Sequence, residues 1–487
     1  MKRFNMRLTL KILVAVGLLT SITTLEGAPV PFPSAPAGTT YSVAPATDVT
    51  APVPDNPLVA TAGTARAEAL ARWQKAKFGL FLHWGVYSVY GGTYRGRELW
   101  SAEWIQENAR IPFEEYAKTA AEWNPKDFDA DAWVRTARDA GMRYIVITAK
   151  HHDGFAIYPS KASSYNLFAS GAYKGPDPLA ELKKACAKYG MIFGIYYSVL
   201  EFRGSPKGFD EEDETAVAAG FDYRTLGPKP HATDEQIAAL AKAQIRELAE
   251  WYKPDIFWFD AAWDKMGKWT ETDAREAEQI IRSIIPNVLI NDRLGVKNPD
   301  FITYEYKIPT SPPGGMWEYC WNLGVFWGYN PRNYTPDLLK TPEHYIETLV
   351  RIASLGGNYL LNVGPDPIGK FHPIATDYLQ KIGTWVNTNR AAIEGVSPFA
   401  KAPAWGFVTC REGKVYLIVR AGAASAPVKL PALKNRLLGA HLLTAPDTKV
   451  VVTTGEREWH VGPVGGQAAG PFVVVVLSVE GMPEAGK

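Results

Sequence analysis

Short apolar segments alternate with longer amphipathic segments over about 300 residues of this chain, and this alternation constrains the fold more than any other feature. The amphipathic segments have helical periodicity and cover Leu179 to Tyr189, Asp234 to Tyr252 and Thr272 to Ile284. Strands that alternate with helices form parallel sheets, and the number of strands favours a closed barrel. The sequence therefore predicts an α/β fold based on a (β/α) TIM-like barrel. The candidate strands are Phe78 to His83, Tyr144 to Thr148, Ile192 to Ser198, Ile256 to Asp260, Val288 to Ile290, Phe301 to Glu305 and Tyr359 to Val363.

The two ends of the chain differ from this pattern. Past Ser397 the sequence is rich in valine and alternates like strands, as in Val415 to Val419, which predicts a C-terminal antiparallel β-sandwich. Basic residues precede a short apolar run, Ile12 to Leu19, which is typical of a secretory signal and predicts a periplasmic or secreted protein without a stable membrane anchor. The predicted divisions are a signal peptide (1–28), a Pro/Ala-rich leader or linker (29–64), the barrel (65–397) and the β-sandwich (398–487).

Charge and composition exclude several classes of partner. Lys and Arg total 52 and Asp and Glu total 51, so there is no basic excess to bind nucleic acid or an anionic membrane. The three cysteines, Cys186, Cys320 and Cys410, are far apart and provide neither a disulfide framework nor metal-ligand spacing. The 16 Trp and 23 Tyr cluster beside His and acidic residues, a combination that favours carbohydrate; the alternative for each Trp is packing in the core.

Polar side chains follow five of the predicted strands at the point where each strand ends. The carboxyl ends of parallel strands meet at one rim of a barrel, where ligands bind. Asp260 is a catalytic candidate at this rim, and the alternative is that it caps the following turn. A His pair with Asp can bind a metal ion, but adjacent His side chains point in different directions, so the pattern favours a site without metal. These strand-end groups are His83 to Gly85, Lys150 to Phe155, Tyr196 to Ser198, Asp260, and Asn291 to Arg293.

Eight motifs occur in a fixed order between Arg72 and Pro398. They are Phe78–Gly85, Ser101–Trp104, Thr148–Phe155, Phe193–Ser198, Trp258–Asp260, Asn291–Arg293, Trp327–Asn330 and Gly356–Pro365. Together they resemble the α-L-fucosidases of glycoside hydrolase family 29. The resemblance implies an irregular (β/α) barrel with a C-terminal β-sandwich. It also implies hydrolysis of terminal α-L-fucosyl groups from glycans with retention of configuration, without a metal ion or organic cofactor.

The resemblance also implies roles for particular residues. Asp260 matches the family's nucleophile, which forms a covalent fucosyl-enzyme. Retaining chemistry needs an ionised carboxylate and a protonated carboxylic acid about 5 Å apart, and Arg293 near Asp260 would favour the ionised nucleophile. The positions that match fucose contacts are His83, Glu103, Trp104, His151, His152, Tyr196, Arg293 and Trp327.

The acid/base residue has two candidates. Glu305 ends a strand-like run shortly after Arg293, with a spacing similar to that of many relatives. Glu318 lies in a segment read as a Gly- and Pro-rich loop, and its Trp-Glu pair is also typical of the family. Glu305 is favoured, and Glu103 is read as a ligand of a sugar hydroxyl.

Two other functions stay open at this stage. One is a secreted carbohydrate-binding protein that keeps the pocket and lacks turnover, and the other is a barrel glycosidase for another sugar, such as an α-galactoside. The sequence does not determine the oligomeric state. The fucosyl linkage and the leaving group depend on loops such as Tyr90 to Trp100 and Glu201 to Pro230.

Overall fold

The computed structural model describes residues 65–99, 101–169, 171–202, 233–262, 269–465 and 470–486. The predicted signal peptide and the predicted leader lie outside the described residues, as does most of the loop predicted from Glu201 to Pro230. Within the described part of the chain, no helix has the length and apolar composition needed to cross a membrane.

Eight parallel strands form one curled sheet in the order β7-β6-β5-β4-β1-β10-β9-β8. The edge strands β7 and β8 are joined by a parallel bridge between Asn291 and Phe301, which brings the two edges of the sheet together. Strands β2 and β3 form a separate hairpin. In chain order the strands are β1 (Phe78–Leu82), β2 (Thr93–Tyr94), β3 (Arg97–Glu98), β4 (Tyr144–Lys150), β5 (Ile192–Ser198), β6 (Ile256–Asp260), β7 (Leu289–Ile290), β8 (Ile302–Tyr304), β9 (Trp317–Asn322) and β10 (Asn358–Val363).

Helices follow and separate these strands, as expected for right-handed βαβ connections. Their starts are set by local sequence: Asp177 accepts backbone hydrogen bonds at the start of α6, and Thr233 and Gln236 form a capping box at the start of α7. The helices are α1 (Ala65–Ala76), α2 (Tyr87–Tyr90), α3 (Ile105–Asn108), α4 (Phe113–Glu122), α5 (Ala130–Asp139), α6 (Pro178–Tyr189), α7 (Asp234–Tyr252), α8 (Glu271–Ile284), α9 (Pro342–Ser354) and α10 (Pro373–Thr388).

One barrel strand lies where the sequence predicts a loop. The segment that contains Glu318 forms β9, between β8 and β10. The loop prediction is wrong because β9 carries polar residues on its inner side, Glu318 and Asn322, which interrupt the apolar run expected of a buried strand. These polar groups are tolerated because both are buried with hydrogen-bond partners inside the barrel.

The C-terminal region is an antiparallel sandwich, which confirms the predicted fold class. A six-stranded sheet in the order β11-β12-β13-β19-β15-β16 packs against a three-stranded sheet in the order β14-β18-β17. The other face of the larger sheet joins the barrel core through side chains that include Phe407 and Phe472. These strands are β11 (Ser397–Pro398), β12 (Gly406–Arg411), β13 (Lys414–Arg420), β14 (Val428–Pro431), β15 (Leu437–Leu442), β16 (Ala445–Lys449), β17 (Val452–Thr453), β18 (Glu458–Val461) and β19 (Phe472–Val479).

Candidate active site

Asp260 is the last residue of β6 and lies at the carboxyl rim of the barrel, in register with Ser198 on β5. Its Oδ2 accepts a hydrogen bond from the phenol of Tyr196 at 2.8 Å, and its Oδ1 accepts one from Nη1 of Arg293 at 3.0 Å. Nε2 of His152 lies 3.8 Å from the same Oδ2. With its side chain 14% exposed, this carboxylate is held in one orientation, yet it remains open to a ligand.

The guanidinium of Arg293 joins two carboxyl groups. Arg293 lies in a single 3₁₀ turn, Asp292–Leu294, directly after β7. Its Nη2 donates to Oε2 of Glu305 at 2.7 Å while Nη1 bonds Asp260, and the guanidinium carbon lies 5.0 Å from the ring centre of Trp258. Burial raises the pKa of Glu305 and the charge of Asp260 adds to the rise, whereas Arg293 opposes it. The environment of Glu305 thus favours its protonated form, as a general acid requires.

Three imidazoles line the rim beside Asp260. The ring centres of His83 and His151 are 5.4 Å apart, and those of His151 and His152 are 4.0 Å apart. Trp104 packs edge-on against His152 at 4.8 Å, and Tyr196 stacks on His151 at 5.5 Å. The structure therefore brings these five predicted contact residues into one continuous cluster.

The imidazoles are neutral near pH 7. Burial lowers the pKa of His83 to about 3 and that of His152 to about 4, and it lowers the pKa of His151 well below its usual value. Nδ1 of His83 lies 2.8 Å from Oδ1 of Asn362, and Nδ1 of His152 lies 2.6 Å from Oγ of Ser198. Nδ1 of His151 is buried and has no hydrogen-bond partner among the residues that the structure describes. Among the described residues, no group of three His, Cys, Asp or Glu side chains could hold a metal ion.

Glu103 and Trp327 form another side of the site. Oε2 of Glu103 accepts a hydrogen bond from the backbone N–H of Gly328 at 3.0 Å, and burial raises the pKa of this carboxyl to about 6. The ring of Trp327 lies 5.0 Å from that of His83 and 5.9 Å from that of Phe81. A carboxyl group, neutral imidazoles and indole rings at one rim can bind the hydroxyl groups and the apolar face of a sugar.

Comparison with known proteins decides the family. A family model described as α-L-fucosidase matches residues 51–391. The chain belongs to the α-L-fucosidase family. Tissue α-L-fucosidase from Rattus norvegicus is 29% identical over 426 residues, which are 82% of this chain and 85% of the rat chain. The human tissue α-L-fucosidase is 30% identical over 352 residues, which are 68% of this chain and 70% of the human chain.

Solved structures of fucosidases have the same fold. A family 29 α-L-fucosidase from Bacteroides thetaiotaomicron, trapped as a covalent intermediate in complex with 2-fluoro-fucosyl fluoride, gives a TM-score of 0.73 at 28% identity. That match covers 85% of this chain and 96% of the Bacteroides chain. Isoenzyme 1 from Paenibacillus thiaminolyticus gives 0.72 at 29% identity, covering 86% of this chain and 100% of its own. These relatives confirm the family 29 resemblance and favour a retaining fucosidase over a binding protein or a glycosidase for another sugar.

The second acid candidate, Glu318, lies deeper in the barrel. Its Oε1 accepts a hydrogen bond from Nε1 of Trp258 at 2.8 Å, and its Oε2 accepts one from the phenol of Tyr144 at 2.6 Å. Glu318 is 1% exposed and is in register with Thr303, two residues before Glu305. Since successive inward-facing residues are about 6.6 Å apart along a strand, Glu318 lies one layer below the rim. Burial raises the pKa of Glu318 to about 7.

Two buried asparagines support the site in ways that the sequence does not predict. The amide of Asn362 bonds His83 and also donates from Nδ2 to the backbone oxygen of Trp327 at 2.8 Å. Asn291 was expected among the polar groups of the rim, but its buried amide bonds both the N–H and the C=O of Phe259, the residue before Asp260. Both asparagines occur within the family-like motifs, so their position was the available signal. Their partners become visible only when strands distant in sequence are brought together.

Proposed function

We propose that this fucosidase uses Asp260 as the nucleophile and Glu305 as the general acid and base. The observation that carries the proposal is the Arg293 bridge, in which one guanidinium contacts a carboxylate oxygen of each residue at 3.0 and 2.7 Å. The bridge orients both groups toward one site at the open rim. The alternative acid, Glu318, has both oxygens engaged below that rim.

In the first step a carboxylate oxygen of Asp260 attacks the anomeric carbon of the fucosyl group. The bond from that carbon to the leaving-group oxygen breaks, and this oxygen takes its electron pair and the proton of Glu305. The raised pKa of Glu305 keeps the proton available for this transfer. The hydrogen bonds from Tyr196 and Arg293 hold the attacking carboxylate.

In the second step water hydrolyses the ester that joins Asp260 to the fucosyl group. Glu305, now ionised, removes a proton from the water, whose oxygen attacks the anomeric carbon while the bond to Asp260 breaks. Two inversions give net retention. Arg293 stabilises the negative charge that alternates between the two carboxyl groups during the cycle.

The cluster around these carboxyl groups supports recognition of a terminal sugar. A neutral imidazole has one donor and one acceptor nitrogen. Because Nδ1 of His83 must donate to Oδ1 of Asn362, Nε2 of His83 is left to accept a hydrogen bond from a sugar hydroxyl. Oγ of Ser198 donates to the backbone oxygen of Leu200, so Nδ1 of His152 donates to Oγ and Nε2 of His152 is likewise an acceptor. The rings of Trp104 and Trp327 offer apolar surface to the methyl group and C–H faces of fucose.

Replacement of Asp260 tests the nucleophile assignment. Asp260→Ala should lower kcat/KM for an α-L-fucoside by about a thousandfold or more, because the covalent route is lost. Azide, which is small enough to occupy the missing carboxylate, should restore part of the turnover as a fucosyl azide of inverted configuration. Asp377→Ala, which removes an exposed carboxylate on α10, is the matched control and should behave like the wild type. Near wild-type turnover in Asp260→Ala would remove Asp260 from the mechanism.

A further inference from the structure

Tyr306 is an exposed aromatic residue immediately after the proposed acid/base. Tyr306 is 61% exposed, which makes it the most exposed large aromatic residue in the described part of the chain. The charge of Glu305 raises the pKa of the Tyr306 phenol, and the charge of Glu103 contributes in the same direction. Tyr306 therefore follows the proposed acid/base directly in the chain and faces solvent.

The backbone of Tyr306 adopts a conformation that residues with a Cβ atom rarely adopt. Its φ is +61°, in the left-handed region that favours glycine. Such a conformation costs free energy, and it persists where the surrounding structure imposes it, often at ligand-binding sites. Here it occurs directly after Glu305, at a residue whose large ring is exposed to solvent.

Tyr306 also continues an aromatic surface that begins beside the imidazoles. Its ring lies edge-on to that of Trp321 at 5.2 Å, and Trp321 lies 6.3 Å from Trp327. Trp327 in turn contacts His83 at 5.0 Å. A row of three aromatic rings thus runs outward from the cluster of imidazoles to solvent, and the outermost ring belongs to the residue directly after Glu305.

We propose that Tyr306 and Trp321 form a leaving-group subsite that stacks against the pyranose ring to which fucose is attached. This inference rests on the proposed function, since it assumes that Glu305 protonates the leaving-group oxygen. That oxygen is bonded directly to the next sugar, so this sugar must lie beside Glu305, where Tyr306 and Trp321 provide the apolar surface. The substrate class is therefore a fucosylated glycan in which a second pyranose ring presents a C–H face to these aromatic rings.

Two substrates separate this subsite from the chemistry. α-L-Fucosyl fluoride has a one-atom leaving group that cannot reach Tyr306, whereas a fucosyl-disaccharide hydrolysed by the wild type places a pyranose ring there. In Tyr306→Ala, the loss of kcat/KM on the disaccharide should exceed the loss on the fluoride by about tenfold, which corresponds to about 1.4 kcal/mol. Tyr306→Phe keeps the ring and should keep the wild-type ratio between the two substrates.

A matched control is Trp251→Ala, which removes another exposed aromatic ring, in the last turn of α7 just before β6 begins and so away from the carboxyl rim. It should leave the ratio unchanged. Equal losses on both substrates in Tyr306→Ala, or the full selective loss in Tyr306→Phe, would overturn the stacking subsite. A wild-type enzyme that hydrolyses neither substrate would instead reject the proposed function itself, so the two failures are distinguishable.

Discussion

At the scale of residues, leaving-group dependence separates the two acid candidates. A general acid matters most for a poor leaving group and least for an activated aryl oxide. Glu305→Ala should therefore retain much of its kcat/KM on a nitrophenyl α-L-fucoside and lose most of it on a fucosyl-oligosaccharide. Glu318→Ala should affect both substrates equally and should lower the free energy of unfolding by about 1–3 kcal/mol, because buried donors on Tyr144 and Trp258 lose their acceptor. Selective loss in Glu318→Ala would transfer the acid/base role to Glu318.

The same pair of residues determines the expected pH dependence. The first step needs Glu305 protonated, and burial raises the pKa of this group, so kcat/KM should fall only as the pH rises through that raised value. Glu305→Gln should lose this alkaline limb, whereas Glu318→Gln should keep it. A wild-type profile of kcat/KM that is flat on the alkaline side would contradict the assignment of Glu305.

Much of the site could be predicted at the residue scale, because strand ends in a parallel barrel share one rim. Asp260, His83 and Arg293 each end or follow a strand that the apolar pattern reveals. The relative depth of Glu305 and Glu318 could not be predicted, because it depends on the register of β8 with β9. That register comes from packing between strands, and β9 itself was hidden by its polar inner face.

At the scale of elements, seven of the eight barrel strands and the three amphipathic helices lie where the sequence predicts them. The expected span from Asp234 to Tyr252 matches α7, because a capping box and an apolar stripe define it locally. The predicted strand Val288 to Ile290 corresponds to β7, which has only two residues, Leu289–Ile290, and whose pairing with β6 ends at Phe257. Beyond that point the amide of Asn291 bonds the backbone of Phe259 and so holds the strand end that carries the nucleophile.

Asn291 should consequently influence catalysis through the position of a strand. Asn291→Ala leaves the N–H and C=O of Phe259 without partners, at a cost of about 1–3 kcal/mol in the free energy of unfolding for each group. We expect kcat/KM to fall by a similar factor for aryl and glycan substrates. Asn358→Ala is the control, since its amide bonds the backbone of Trp73 at the start of β10, and it should lose stability while keeping its kinetics. Unchanged kinetics in Asn291→Ala would show that β6 needs no such support.

At the scale of the whole molecule, side chains of the barrel and of the sandwich pack together in one apolar core. Phe472 of β19 packs on Trp385 of α10 at 5.9 Å and on Phe407 of β12 at 5.9 Å, and all three side chains are nearly buried. The sequence predicted both parts, but it could not predict this contact, because one face of a valine-rich sheet looks the same whether it meets solvent, a second sheet or helices. An ion pair between Arg420 and Glu347 also joins the two parts, with both side chains substantially exposed.

The two kinds of contact should contribute very differently to stability. Phe472→Ala removes a buried ring and leaves a cavity between barrel and sandwich, so the free energy of unfolding should fall by about 3–5 kcal/mol. Glu347→Gln removes only an exposed ion pair, which is worth about 0–1 kcal/mol.

The shared core also predicts that the wild type unfolds in a single transition. Intrinsic fluorescence and fucosidase activity should be lost at the same denaturant concentration, because neither the barrel nor the sandwich keeps its core when the other unfolds. Two separate transitions in the wild type, or a larger effect of Glu347→Gln than of Phe472→Ala, would show that the parts are held together mainly by surface charge.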